Sequence, residues 1–447
     1  MFRTLVNAWK VPEIRKKMLF TLFIILIYRI GAAIPVPFVD NTMLNFAQIY
    51  GSGSIFTYLN ILSGDAFSKA TLFALSVSPY ITAQIVIQLL TVAIPALEKM
   101  SKEGPEGQKK IAKITRYLTV GLALVTSYGY YSLLSSSSIN IVYKPESTFL
   151  QVLVAATMIC CYTAGAILIM WLGEKIDEQG IGNGISMMLF ANIVCGLPST
   201  IASFVNDINT YIQGENSYLS VAIILCVLAV VIVVASILFV TYMNDAERRI
   251  PIQYAKRVVG RKLYGGQNST LPIKLTMSGV LPIIFASTLV SLPVTIIYFF
   301  NPAQGTFWYS VQQALSSTSW IYALFMFILI IAFSYFYTSI SFNPVEVSNN
   351  IMQQGGAIPG IRPGKPTAQY ITKILNKVVL MGAFFLGIIS VVPLIINIVS
   401  MEFFGVGLGI VSFSGSTLLI VVGVVLETVR DIESQLALRH YKGFLNR

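Results

Sequence analysis

Long apolar runs alternate with short polar connections along almost the whole chain. The runs lie near 18–36, 69–92, 116–134, 150–172, 184–204, 218–242, 275–300, 318–341, 374–396 and 408–427. A helix needs about 20 mostly apolar residues to cross a hydrocarbon core of about 30 Å. Each run therefore predicts one transmembrane helix, and the fold class is an all-α polytopic membrane protein of ten spans. Ten spans divide into five and five, in an N-terminal half over 1–209 and a C-terminal half over 210–447. An odd count per half inserts the second half upside down relative to the first. The divide falls in the external stretch 205–217, and no strong residue-level repeat accompanies it.

One apolar segment is too short to span. After the break at 51–54, residues 55–62 are largely apolar and are followed by Ser63, Gly64 and Asp65. Short apolar pieces at membrane depth are tolerated where protein or a cavity surrounds them. The segment is either a re-entrant piece in a vestibule or an amphipathic turn in the interface.

Charge sets the threading. Charged residues make up 11% of the chain, against about 25% in ordinary soluble proteins. Of the 30 Lys and Arg, all but Arg29, Lys69 and Lys144 lie in the N-terminal arm, the 93–116 loop, Lys175, the 243–274 loop, the 342–377 connection and the C-terminal tail. Positive charge near span ends stays cytoplasmic, so both termini are expected in the cytoplasm. The net charge of +11 thus reports topology before it reports nucleic acid. The first span is long and lacks a small-residue cleavage site, so no cleavable signal peptide is expected.

Catalytic chemistry is scarce. Arg29 is the charged residue set deepest within the apolar runs, and its expected role is structural, by snorkelling or hydrogen bonding near the external side. His440 is the sole histidine, which argues against His-based hydrolysis and His₂ metal sites. Cys160, Cys161, Cys195 and Cys226 fall in apolar runs without metal-ligand spacing, and packing is their expected role. No Walker-type G-x-x-x-x-G-K-[ST] pattern occurs. The G-I-G-N-G at 180–184 follows no strand, and its glycines are expected to shape the start of the fifth span. The expectation is no enzyme and no cofactor.

Three stretches carry a family resemblance: 78–98 (SPYITAQIVIQLLTVAIPALE), 171–186 (WLGEKIDEQGIGNGIS) and 342–366 (FNPVEVSNNIMQQGGAIPGIRPGKP). They resemble SecY, the central subunit of the bacterial protein-conducting channel, and the likeness runs from the N-terminal arm to the last span. The resemblance implies two inverted halves around an hourglass pore, narrowed by an aliphatic ring of Val77, Ile81, Ile185, Leu189, Ile284 and Ile420. Such a constriction resists water by dewetting and offers no hydrogen bonds to a passing chain. It implies a plug helix at about 55–70, placing Ile55, Phe56, Tyr58, Leu59, Asn60, Ile61, Leu62, Ser63, Gly64 and Asp65 in the external funnel. It implies a lateral gate to lipid between the second and seventh spans, flanked by the third and eighth, with Thr82, Gln88, Asn183, Ser287, Thr288 and Leu292 along it. Polar contacts across the gate would act as a weak latch.

The same resemblance makes the two basic loops docks for the ribosome and for the SecA motor ATPase, through Arg248, Arg249, Lys256, Arg257, Arg261, Lys262, Arg362 and Lys365. Salt-dependent pairing with rRNA phosphates suits such residues. Arg362, between Gly360 and Gly364, is expected on a tight exposed turn. Further implied partners are the small membrane subunits SecE and SecG, signal peptides, nascent or precursor polypeptides, and lipid. The implied location is the bacterial cell membrane. The rival class, a small-solute carrier with inverted repeats, would require charged or strongly polar groups at mid-membrane, which this chain nearly lacks.

Overall fold

The computed structural model describes residues 2–39, 60, 63–135, 141–143, 145–213, 219–254, 257–259, 262–264, 268–277, 279–300, 305–316, 319–404 and 415–445. A short amphipathic helix, α1 (Phe2–Lys10), leads into α2 (Pro12–Gly31). Pro12 stands in the first turn, where its missing N–H leaves no helical bond unmade. α3 (Ser78–Ala93) ends at Ile94, held extended at φ −109° and ψ 113° by the proline that follows it. α4 (Pro95–Lys102) consequently leaves at 102° to α3. Long helices follow: α5 (Pro105–Leu134), α6 (Thr148–Gln179), α7 (Gly184–Gln213) and α8 (Leu219–Asp245).

Four strands come next: β1 (Glu247–Tyr254), β2 (Arg257–Val259), β3 (Lys262–Tyr264) and β4 (Asn268–Lys274). Then come α9 (Leu281–Phe300), the short α10 (Phe307–Ala314), α11 (Trp320–Ser341) and α12 (Pro344–Gln353). β5 (Gly356–Ala357), α13 (Lys365–Phe404) and α14 (Ser416–Leu445) complete the order.

Each of the ten apolar runs overlaps one helix, in order α2, α3, α5, α6, α7, α8, α9, α11, α13 and α14. By length and composition, four helical stretches among the described residues are apolar enough to cross a membrane: Thr148–Gln179, Gly184–Asn206, Trp320–Gln353 and Lys365–Ser400. The bent pair α3–α4 makes a fifth. Among the described residues, the apolar stretches Val230–Asp245 of α8 and Leu281–Ser291 of α9 are shorter. α3 has 16 residues, α2 contains Arg15, Lys16, Lys17 and Arg29, and the second half of α14 is charged from Glu427 onward.

Three differences from the sequence pattern stand out. The second run is not helical from 69; residues 64–77 form turns and one bridge, and the helix starts at Ser78. α7 continues to Gln213, through the stretch 205–213 expected to be an external connection. The two basic loops contain a small sheet of order β4-β1-β5, which hydropathy does not foreshadow.

The largest apolar core lies where α2, α3, α6, α7, α8, α9, α11, α13 and α14 converge. A second packs residues 36 and 67–74 against α5, α6 and Val294 of α9. A third, under the sheet, joins Ile250, Ile252 and Ile273 to Ile351, Ile358, Ile371, Leu375 and Val379. Meanwhile Leu22, Phe23 and Leu26 of α2 and Val230, Val231 and Leu238 of α8 point outward. That arrangement suits helices ringed by hydrocarbon, where apolar surface has no reason to hide.

Candidate functional site

All six aliphatic side chains expected at the constriction are buried and belong to the central core. Val77 immediately precedes α3 and Ile81 lies one turn into it. Ile185 and Leu189 stand four residues apart, on one face of the start of α7. Ile284 is in the first turn of α9, and Ile420 is near the start of α14. The group draws two helices from each half, and none of its side chains offers a donor or acceptor.

Beside it runs the strap 63–77. Of the expected plug residues, Ile55, Phe56, Tyr58, Leu59, Ile61 and Leu62 lie outside the described residues. Asn60, Ser63, Gly64 and Asp65 form a closely bonded turn. Asn60 Nδ2 donates to Asp65 Oδ1 at 3.0 Å, and Asn60 Oδ1 accepts from the Ser68 N–H at 2.9 Å. Ser63 Oγ donates to the Asn60 carbonyl and accepts from the Phe67 N–H, both at 3.0 Å. Surrounding helices reach in as well. Arg29 Nη1 donates to the Gly64 carbonyl at 3.0 Å, and Tyr130 Oη donates to that of Phe67 at 2.6 Å. The intramembrane arginine thus has the hydrogen-bonding role expected of it. The Leu72 N–H donates to the Ile34 carbonyl at 2.9 Å, which ties the strap to the chain leaving α2.

The expected gate elements are neighbours: α9 packs against α3 and α5 on one side and α11 on the other. Their hydroxyls, however, do not bridge this seam. Thr82 Oγ1 donates to the Ser78 carbonyl at 2.9 Å, Ser287 Oγ to that of Ile284 at 3.0 Å, and Thr288 Oγ1 to the same carbonyl at 2.7 Å. Each of these hydroxyls donates within its own helix, because a short hydroxyl reaches the carbonyl one turn back more easily than a neighbouring helix. Asn183 is also placed differently. It is exposed at the start of α7, where its Oδ1 accepts from the Ser186 N–H at 3.0 Å, an N-cap bond. Gln88 is half-buried with its Oε1 unpartnered. Leu292 lies in α9, its side chain outside the described residues.

The two basic loops prove to be one lobe. β1 pairs antiparallel with β4 within the first loop, and its Gln253 and Tyr254 pair with Ala357 and Gly356 of the second. Pro251 is tolerated within β1 because only β4 pairs with the strand there. Arg248 and Arg249 are exposed on β1, Arg249 beside Glu247 at 2.6 Å. Arg257 and Lys262 lie in the paired strands β2 and β3, while Lys256 and Arg261 fall outside the described residues.

Arg362 is exposed on a turn between Gly360 and Gly364, whose φ values of 81° and 95° favour glycine. Ser348 Oγ donates to the Gly364 carbonyl and Thr367 Oγ1 to that of Arg362, each at 2.9 Å, fixing the turn from both sides. Lys365 is exposed at the start of α13. Burial, and next the charge of Arg430, hold Lys274 below the usual lysine range.

Sequence reasoning missed a clasp. The Gly182 N–H donates to Asp431 Oδ2 of α14 at 3.1 Å, the Ile181 N–H to Thr21 Oγ1 of α2 at 3.1 Å, and the Gly184 N–H to Asp177 Oδ1 at 2.7 Å. Ala8, Ile14, Ile181 and Ile432 pack beneath it. The 180–184 glycines thus shape the start of α7 and also tie it to the last helix.

Comparison with known proteins agrees with this geometry. The SecY family model matches residues 71–429. The protein translocase subunit SecY of Streptomyces coelicolor is 40% identical over 453 residues, covering 100% of both chains. Among solved structures, one in which the plug domain of SecY stabilises the closed state of the translocation channel and maintains a membrane seal superimposes with a TM-score of 0.65. It is 20% identical and covers 96% of each chain. Sec61 in the canine ribosome-channel complex from the endoplasmic reticulum gives a TM-score of 0.63 at 19% identity, covering 95% of this chain and 96% of that one. On its full-length relatives and its family match, this chain is a membrane protein of the SecY family.

Proposed function

We propose that this chain is the pore-forming subunit of a protein translocase. It passes unfolded secretory polypeptides across the membrane and releases apolar segments sideways into lipid. One observation carries the reading: six aliphatic side chains from α7, α9, α14 and the start of α3 meet in one buried cluster. An aliphatic ring excludes water without binding the polar backbone of a passing chain. Residues 55–65 serve as the plug above it, and the seam of α3 and α5 against α9 and α11 is the lateral gate. The halves 1–209 and 210–447 part across that seam. The protein sits in the bacterial cell membrane with both termini in the cytoplasm, and its family contributes a channel, not a catalyst.

Energetics support gating by substrate. Ten Leu, Ile, Phe or Val residues of a signal sequence gain about 3–6 kcal/mol on entering a lipidic environment. Shifting a two-state gate from mostly closed to mostly open takes about 5.5 kcal/mol. A docked partner lowers the remaining demand. That partner is the SecA motor ATPase or the ribosome, bound at the lobe carrying Arg248, Arg249, Arg257, Lys262, Arg362 and Lys365. The small subunits SecE and SecG cover part of the outward apolar surface.

Vesicles containing the purified complex, the motor, ATP and a signal-bearing precursor test the reading. Protease protection that depends on ATP and on the signal's apolar core is expected. Absence of protection, with small-solute flux driven by an ion gradient, would overturn it in favour of a carrier. Ile81→Asn and Ile420→Asn should each hydrate the constriction, raise ion leak and admit precursors with weak signals. Variants as ion-tight and selective as the parent would remove the ring assignment.

A further inference from the structure

We infer that Asn192, acting with Tyr28 and Ser76, is the latch that holds the strap 63–77 in its closed position and thereby sets how apolar a signal must be to open the channel. The inference rests on the channel reading above. Asn192 lies in α7, one turn beyond Leu189 of the ring, and is fully buried with Tyr28. Its Nδ2 donates to Tyr28 Oη at 2.7 Å and to Ser76 Oγ at 3.2 Å. One carboxamide therefore ties α2, α7 and the residue directly preceding Val77. Val77 cannot leave the ring without moving Ser76, so the bond and the seal are mechanically linked.

The same residue abuts the other end of the strap. A Cβ on Gly64 would lie 3.0 Å from the Asn192 carbonyl oxygen and 2.8 Å from Arg29 Nη1. Tyr28 also touches the strap directly, since its ring stacks on Phe73 with centroids 5.3 Å apart and planes 8° apart. Between these anchors the backbone is strained. Asp65, Ala70 and Ser76 hold φ values of 68°, 45° and 51°, conformations that persist only where the surroundings over-determine them. Ala70 is further held by Tyr162 Oη, which donates to its carbonyl at 3.4 Å. A strained strap pinned at Gly64 and Ser76 is a device with two arrangements, and Asn192 meets the first pin with its backbone and the second with its carboxamide.

The test is export of two precursors through Tyr28→Phe, Ser76→Ala and Asn192→Leu channels in vesicles, one with an intact signal and one with a shortened apolar core. Intact-signal export should stay at the parental level. Export of the shortened signal, and ion leak through the idle channel, should rise about threefold for Tyr28→Phe and by about tenfold for Asn192→Leu, which removes both bonds. Tyr28→Phe added to Asn192→Leu should raise leak by less than the two separate effects combined, because the two side chains share one bond. Tyr28→Phe keeps the stack on Phe73, so it reports on the latch even if Asn192→Leu fails to accumulate. Unchanged leak and unchanged discrimination in Tyr28→Phe and Ser76→Ala, with a parent that exports normally, would overturn the latch alone. A parent that fails to export the intact precursor would instead overturn the channel reading.

Discussion

At the scale of single residues, the hydroxyls of Thr82, Ser287 and Thr288 donate within their own helices, which leaves packing to hold much of the seam beside the ring. Gln88 is the exception, with a buried acceptor that no group satisfies. Leaving such an atom unpaired costs about 1–3 kcal/mol. Gln88→Leu should therefore stabilise the closed protein by about that amount. Its thermal midpoint should rise, and a longer apolar core should be needed for export; an unchanged midpoint would show that Gln88 is solvated. The ring residues were legible from the sequence only through their position in motifs, since an Ile within an apolar span carries no mark of its own. Asn183 shows the opposite: a residue ahead of a helix, three before Ser186, has the spacing of an N-cap, and that signal competed with the gate assignment.

At the scale of elements, the spans were readable because lipid leaves one strong pattern, a run of about 20 apolar residues. The strap was not, since buried turns are as apolar as buried helix. Pro79 in the first turn of α3 marked the true start, as proline favours that position. The sheet was also missed, although Ile250, Ile252 and Tyr254 alternate with polar residues at the period of two that defines a half-buried strand. Charge counting had claimed that loop for topology. Because β1 pairs with strands of both loops, damage in one should loosen the other. Ile273 is fully buried beneath the sheet, and truncating such a side chain costs about 2–5 kcal/mol. Ile273→Ala should expose the 243–274 and 342–373 loops to protease together, at one shared midpoint. Cleavage confined to the first loop would show that the loops fold separately.

At the scale of the whole molecule, contacts of different character relate the halves. The seam of α3 and α5 with α9 is mainly apolar, whereas the clasp from Gly182 to Asp431 is polar. Arg362 sits apart from both, on a turn fixed by Ser348 and Thr367. Reversing its charge should leave the fold intact and abolish partner-driven export. Normal motor-driven or ribosome-driven export by Arg362→Glu would exclude the turn as a dock. The lobe that carries this arginine also joins the ends of four helices. β1 follows α8, β4 precedes α9, and α12 and β5 join α11 to α13. A load applied to that single handle is delivered as torque on four helices at once, all in the C-terminal half. The N-terminal half would feel that torque through its contacts with α8, α9 and α14, the seam and the clasp among them, so a push at one point would become relative rotation of two bodies.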